Sequence, residues 1–533
     1  MLSYILKDCR VVDGTGRAAY RCDVGLRDGK IVSTGRIDAN SGERVIDCGG
    51  LALAPGFIDL HSHSDLGAME HPGESNKLSQ GVTTEIAGNC GFSLFPVTEA
   101  GRPAVRAMIK SFGKDFDIPW KSGAEYYGLL RKIGIGFDYY PLVGHGMLRI
   151  NAMGFEARRS SPDELRLMED LLTAEMEGGA RGFSTGLGYL PGCFADTEEL
   201  IALARVAARY GGIYTSHLRD QGRDLLKSIA EAVRIGEEAG IPVVISHLKA
   251  YGVSNWGMAP KALELIEAAR AKGLKVMADF YPYEASSTTL MYELPEWAKA
   301  GGPEASLARL SSPADRKRIN EEILARGELT WDRVVVCGVK TEANQGVVGR
   351  SIAQIAIDRG VQAGDAALDL LIEERGGVET VCSVMSPDDV DAIATSPFTA
   401  VGSDGYALDA DAPFAGHPRN FGAFPRFFAR YVREKKLLSL EEAVRKTSAM
   451  AAEFLGLGDR GLIAEGYKAD LVLFDPDTIE GGADFLAPGR KSTGIEAVFS
   501  SGSLAYGRPG VADSADGGRT GRVLVRTEGV KHE

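Results

Sequence analysis

Short apolar runs ending in polar or glycine residues recur through the middle of the chain, each followed by a stretch with helical spacing. Eight stand out: GFIDLHSH, TTEIAGNCG, DYYPLVGHG, ARGFSTGLG, GIYTSHLRD, PVVISHLKA, KVMADFYPY and FTAVGSDG. Strands separated by helices pair in parallel, because a parallel connection needs a long crossover. Eight such units predict an α/β fold built on a (β/α)8 barrel of the TIM type. The intervening DELRLMEDLLTAEMEGG, TEELIALARVAARYGG and LLKSIAEAVRIGEEAG carry apolar residues at helical spacing and end in glycine, the pattern of outer-ring helices.

The two ends follow a different period. YILKDCRVVDG, DVGLRDGKIVSTGRI and ERVIDCGGLALAPG are short strand patterns separated by turn signals, with Asp-Gly marking tight turns. GLIAEGYKADLVLFDP, IEAVFSSGSLAY and GRVLVRTEG repeat the style near the other end, around a polar loop at ADSADGG. Residues 1–54 and 461–533 are therefore expected to form one small β-sandwich beside a barrel spanning 55–460. The seventh and eighth barrel segments are too far apart for a single crossover. An inserted subdomain at about 290–395, carrying RVVVCGV and ETVCSVM, is expected to cover the barrel mouth as a lid.

Composition narrows the function. The chain has 533 residues, 44% hydrophobic and 25% charged, with 66 glycines, which suits a globular α/β protein. It contains no 18-residue apolar run for a membrane helix and starts without a signal-peptide pattern, so cytoplasmic residence is expected. A net charge of −13 argues against a nucleic-acid partner. Seven scattered cysteines, an odd number, form no disulfide framework.

Candidate chemistry gathers at the strand ends. His61 and His63 are two apart, so an extended strand projects both imidazoles to one face. Cys90, His217, His247 and Asp404 end four other barrel segments, and the C-terminal ends of barrel strands meet on one rim. A thiolate with imidazoles suits zinc. Cys90, His217 and His247 are the expected tight site; His61, His63 and Asp404 form a second, weaker site or border the first. Asp404 can take a water proton and return it to a leaving group. His145, in VGHG at the third strand end, is expected to polarise a carbonyl or orient a ligand. Cys193 lacks a nearby base and is expected to be a bystander, as are His71 and His532.

GFIDLHSHSDL, GNCGFSLFP, TSHLRD, ISHLK, DFYPYEASST, GSDG and HPRNFGAFPR together resemble the D-aminoacylase, or N-acyl-D-amino-acid deacylase, family of the amidohydrolase superfamily. The likeness runs along essentially the whole chain. HSH marks only the superfamily, whereas Cys90 in GNCGFS and the HPR-x-x-G-x-FPR pattern are more specific. The resemblance implies hydrolysis of N-acyl-D-amino acids to a carboxylate and a D-amino acid. It also assigns metal binding to Cys90, in keeping with a fourth strand, ARGFSTGLG, that has no lysine to carboxylate.

The implied partner is a small molecule with a free carboxylate. Arg419 offers it a bidentate fork, and Lys249 shares a strand face with His247. Tyr281 and Ser287 match family positions for the same group, and Tyr283 either packs in the core or faces substrate. The chain departs from the family in reading HLRDQ, with Gln221 in place of an acid, and HLKAYG in place of His-His-Lys. TLMYELPEW lacks the arginine expected for acidic side chains, which suggests a neutral or hydrophobic side chain near Met291 or Tyr292. Two other readings share the barrel: a cyclic amidohydrolase of the hydantoinase or dihydroorotase kind, and a scaffold without catalysis. Oligomeric state is open.

Overall fold

Five strands open the chain: β1 (Leu2–Val11), β2 (Tyr20–Arg27), β3 (Lys30–Gly35), β4 (Gly42–Asp47) and β5 (Ala52–Pro55). The structure, a computed structural model, describes residues 1–73, 75–111, 116–409, 416–508 and 519–526. The ADSADGG loop and His532 lie outside them. Asp28 and Gly29 turn β2 into β3 with φ of 52° and 75°, positive at both positions as a two-residue hairpin of primed type requires. β1 runs antiparallel to β2, while its first half lies parallel to β4 and its last residues parallel to β5.

The eight expected barrel segments all carry strands. They are β6 (Phe57–Asp59), β7 (Val82–Ala87), β8 (Asp138–Pro141) with its continuation β9 (Val143–Gly144), β10 (Gly182–Gly186), β11 (Ile213–His217), β12 (Val243–Ile245) and β13 (Val276–Phe280). The eighth follows an excursion that contains β14 (Ser286–Thr289), β15 (Val334–Gly338) and β16 (Glu379–Cys382); it is β17 (Thr399–Val401). β6, β7 and β8 pair in parallel, and β9, β10, β11, β12, β13 and β17 make a second parallel run in that order. Between β17 and β6, Leu60 N donates to Val401 O and Asp404 N donates to His61 O, at 3.3 and 2.7 Å. All these strands are buried along their length, as parallel strands with both faces covered must be.

Helix Pro162–Glu177 shows why the outer ring forms where it does. Ser161 accepts from Glu164 N while the Glu164 side chain returns to Ser161 N, and Pro162 supplies a preset φ at the first position.

The excursion is a separate packing unit. β14 and β15 flank β16, both antiparallel to it, and Leu290, Leu310, Ile319, Val334, Ile355 and Leu370 belong to a core of their own. It begins at Ser286, slightly before the position expected from sequence, because β16 gives the polar SSTT segment a partner.

The chain ends with β18 (Leu471–Phe474), β19 (Ile495–Ser500) and β20 (Ser503–Gly507). β18 pairs with β5 on one side and β19 on the other, so both ends of the chain share one eight-stranded sheet. Its faces alternate with period two. Leu471 and Leu473 join Leu6, Val24 and Leu53 in the sheet's own core, while Val472 and Phe474 turn to the larger core. There Phe57, Phe428 and Phe474 cluster with ring centroids 5.2–6.2 Å apart, Phe57 stacked on Phe428 and edge-on to Phe474, fixing helix Arg419–Phe428 against β6. Among the described residues, no helix is long and apolar enough to cross a membrane.

Candidate metal centre

Parallel strands deliver their C-terminal ends to one side, and six side chains of types able to ligate a metal arrive there. His61 and His63 follow β6, Cys90 follows β7, His217 ends β11, His247 follows β12 and Asp404 follows β17. Close backbone approach is needed to seat Cys90. A Cβ on Gly186 would meet Cys90 O at 2.0 Å, and one on Gly91, with φ of 73°, would meet Gly186 N at 2.6 Å.

The ligand atoms form one continuous cluster. Cys90 Sγ is 3.4 Å from Nε2 of His61, 3.4 Å from Nε2 of His247 and 3.7 Å from Nδ1 of His217. Asp404 Oδ1 is 3.1 Å from His63 Nε2 and 3.6 Å from His61 Nε2. Tetrahedral zinc, with bonds of about 2.0–2.3 Å, separates its ligand atoms by roughly 3.3–3.6 Å. The donor set and its spacing therefore fit that ion. His61 belongs to two candidate ligand groups, one with Cys90 and His247 and one with His63 and Asp404, and so borders both. His217 Nδ1 approaches His247 Nε2 to 2.9 Å, hydrogen-bond distance.

Charge is arranged to suit a cation. Burial pushes the Cys90 thiol up, but His61 and His247 outweigh it and hold the thiol well below its ordinary range. Asp404 is held low in the same way, burial being outweighed by Arg419 and then His63. Burial, reinforced by Lys249, takes His247 down to about 3, and burial also lowers His217. Thiolate, carboxylate and the neutral imidazoles of His217 and His247 are ligand forms, whereas burial is outweighed at His61 by Asp279 and Cys90, which raise it, and at His63 by Asp404 and Cys90, which raise it to about 9. Cys90, His247 and Asp404 also have φ of 52°, 35° and 52°. Left-handed backbone at three non-glycine residues of one cluster is the kind of strain that gathers at functional sites.

Two supporting residues carried no clear signal in the sequence. Asp279, buried at the end of β13, has Oδ2 3.3 Å from His61 Nδ1, and its Oδ1 accepts from His247 N at 2.7 Å. Its only sequence mark was an acid inside the apolar run VMADF. Lys77, fully buried, donates to Asp59, Glu85 and Ser403, tying together the stems that carry His61 and Asp404.

The expected carboxylate-binding residues divide. Arg419 Nη1 lies 2.7 Å from Asp404 Oδ2, its Nη2 donates to Ser287 O at 3.3 Å, and its guanidinium covers the Tyr281 ring at 4.9 Å. Lys249 Nζ is 5.4 Å from the centre of the same ring, and burial lowers its amine to about 7. Tyr283 instead donates to Pro418 O and packs edge-on against His417, inside the wall. His145 opens helix His145–Met153 and gives Nε2 to Glu199 at 2.8 Å, beside the Glu199–Arg149 ion pair. That nitrogen is not brought to the cluster. The Cys193 thiol is buried and raised to about 11. A cavity of about 90 Å³ beside the site is lined in part by Tyr189, Leu190, Met291, Tyr292 and Lys299, with Tyr189 and Tyr292 against His217.

Known proteins resemble this chain nearly end to end. The amidohydrolase family profile matches residues 44–506. An N-acyl-D-glutamate deacylase of Alcaligenes xylosoxydans xylosoxydans is 37% identical over 98% of this chain and 97% of its own length. A D-aminoacylase of the same organism is 34% identical over 97% and 96%. A solved D-aminoacylase, studied for its binuclear metal centre, superposes with a TM-score of 0.84 at 33% identity, covering 99% of this chain and all of the other. An N-acyl-D-glutamate deacylase of Bordetella bronchiseptica, bound to zinc and a phosphonate mimic of the tetrahedral intermediate, gives 0.82 at 33% identity over 98% of this chain. A D-hydantoinase at 16% identity and a TM-score of 0.53 shares the fold alone. With these matches, the chain belongs to the amidohydrolase family, among the D-aminoacylases and N-acyl-D-amino-acid deacylases.

Proposed function

We propose that this chain is a zinc-dependent amidohydrolase that cleaves the amide bond of N-acyl-D-amino acids, releasing a carboxylate and a D-amino acid. The observation that carries the reading is a continuous run of ligand-distance contacts, from Cys90 to His61, His217 and His247 and from His61 on to Asp404, which Arg419 touches. Cys90, His217 and His247 are the tight site, with His61 leading to a weaker one at His63 and Asp404. These residues would hold zinc, and the chemistry it would supply there is polarisation of the scissile carbonyl and activation of a water near neutral pH.

The chain's own residues do the rest. Asp404 keeps Oδ2 on Arg419, which leaves Oδ1, on the histidine side, to take the proton of the attacking water and pass it to the leaving nitrogen. Arg419, Lys249, Tyr281 and Ser287 hold the substrate carboxylate, the guanidinium by a fork that matches its geometry. The low exposure of His61, His247 and Asp404 keeps bulk water from competing.

The architecture proposed with this function is a closed (β/α)8 barrel, supported by the Leu60–Val401 and His61–Asp404 backbone bonds between the last strand and the first. The described terminal strands β1–β5 and β18–β20, which share one eight-stranded sheet, support reading residues 1–54 and 461–533 as the small β-sandwich, and the excursion between β13 and β17 is read as the lid. Free cysteines throughout suit a cytoplasmic location.

A release assay offering N-acetyl-D-leucine, its L-isomer and a hydantoin tests the reading. Turnover of the D-substrate is expected; turnover of the hydantoin alone overturns it in favour of a cyclic amidohydrolase.

A further inference from the structure

Gln221 stands between two groups that make opposite demands on one amide. Its Oε1 accepts from Lys249 Nζ at 2.9 Å, and its Nε2 lies 3.2 Å from His247 Nδ1. All three side chains are buried, at 5%, 6% and 3% exposure, so solvent offers little substitute for either partner. The His247 nitrogen that faces Cys90 and His217 is Nε2. An imidazole that binds a cation through Nε2 carries its remaining proton on Nδ1 and donates it there. Opposite that donor an amide must present its oxygen, because the NH2 group only donates.

Turning the Gln221 amide over gives Nδ1–H its acceptor. It also swings the NH2 group toward Lys249, donor against donor. One amide therefore serves His247 or Lys249 with its oxygen, but not both, whereas a carboxylate in the same position would serve both at once. Lys249 has somewhere else to go: its Nζ already lies over the Tyr281 ring, on which Arg419 also rests.

We propose that Gln221 is a positioning residue coupling the metal centre to the substrate's carboxylate end: cation binding at His247 turns the Gln221 amide and releases Lys249 toward the substrate. The inference rests on the zinc and carboxylate roles given above. Glutamine at this position gives a looser hold on zinc than an acid would, in exchange for a lysine free to bind substrate.

Gln221→Glu and Gln221→Met variants of the full chain test this, with zinc affinity measured by chelator competition and KM and kcat by amine release from an N-acyl-D-amino acid. Gln221→Glu is expected to bind zinc about tenfold more tightly or better, the usual scale for a ligand's hydrogen-bond partner. Its KM should rise, and by more than kcat falls, because Lys249 stays paired with the new acid. Gln221→Met should weaken zinc by a similar factor without raising KM. Unchanged or weaker zinc binding in Gln221→Glu, or an unchanged KM, overturns the proposal. A wild-type chain that takes up no zinc overturns the metal reading itself, an outcome visible before any variant is made.

Discussion

Arg419 Nη1 stands 2.7 Å from Asp404 Oδ2, and both side chains are almost fully buried. One guanidinium thus holds the proposed proton carrier while its other nitrogen reaches Ser287 O. The group that would recognise substrate and the group that would act on it are bolted together.

Asp404→Asn keeps the shape of the side chain and removes the proton acceptor. Turnover should fall by about 10²–10⁴-fold, the usual contribution of a positioned acid–base group. Thermal stability should fall as well, because the buried Arg419 guanidinium loses its anionic partner, so turnover is compared on folded protein. Activity within a few-fold of wild type in steady-state assays would remove Asp404 from proton transfer.

Arg419→Lys keeps the charge and loses the planar fork. A single ammonium cannot reproduce both the Asp404 and Ser287 contacts. KM for a carboxylate-bearing substrate should rise about tenfold or more, with kcat also reduced as Asp404 loses its anchor. A KM that stays put would show that the carboxylate is held elsewhere.

Metal removal should be reversible. Dialysis against a chelator is expected to abolish turnover and zinc to restore it, whereas Cys90→Ala should lose tight zinc and not recover. Full activity in chelated protein, checked by elemental analysis, would rule out a metal-dependent reaction.

Lys77→Met leaves Asp59 and Glu85 buried without their cation. Breaking a buried ion pair from one side destabilises by about 3–5 kcal/mol. Chemical unfolding should report a loss on that scale, and Asp404-dependent activity should fall with it because Ser403 loses the same amine. A shift below about 1 kcal/mol would mean that the network relaxes freely.

Glu175 supplies a pH test away from the metal. It is 3% exposed and burial pushes its carboxyl up to about 7, although Gly123 N donates to it at 2.8 Å. Because the folded value is raised, its stabilising contribution is full below the ordinary glutamate value and is lost as pH climbs through about 7. The loss by about pH 8 is of order 3 kcal/mol. Glu175→Gln keeps an acceptor for Gly123 and cannot ionise. Its unfolding midpoint should exceed that of wild type at about pH 8 and approach it at about pH 5. The same offset at both would sink the assignment.

The barrel strands and the cluster were legible because the sequence breaks its apolar runs with histidine, cysteine or aspartate where each strand emerges. Asp279 was not, because its meaning lies in a partner 218 positions away. β14 was hidden for a related reason: SSTT has no apolar alternation, and only pairing with β16 makes it a strand. His145 is a different case. Its position at a strand end suggested chemistry, but a helix begins at that residue and its Nε2 goes to Glu199.

His61 and Asp404 meet through a backbone bond and a shared ligand group, yet one is made early in synthesis and the other late. At about 5–20 residues per second, a ribosome takes tens of seconds to travel between them. The Cys90, His61, His217 and His247 set is complete well before that interval ends, but His61 and His63 wait through all of it for their carboxylate. The Asp404 side of the cluster is therefore an event of the nearly complete chain, and any truncation upstream of β17 would leave His61 and His63 without their carboxylate neighbour.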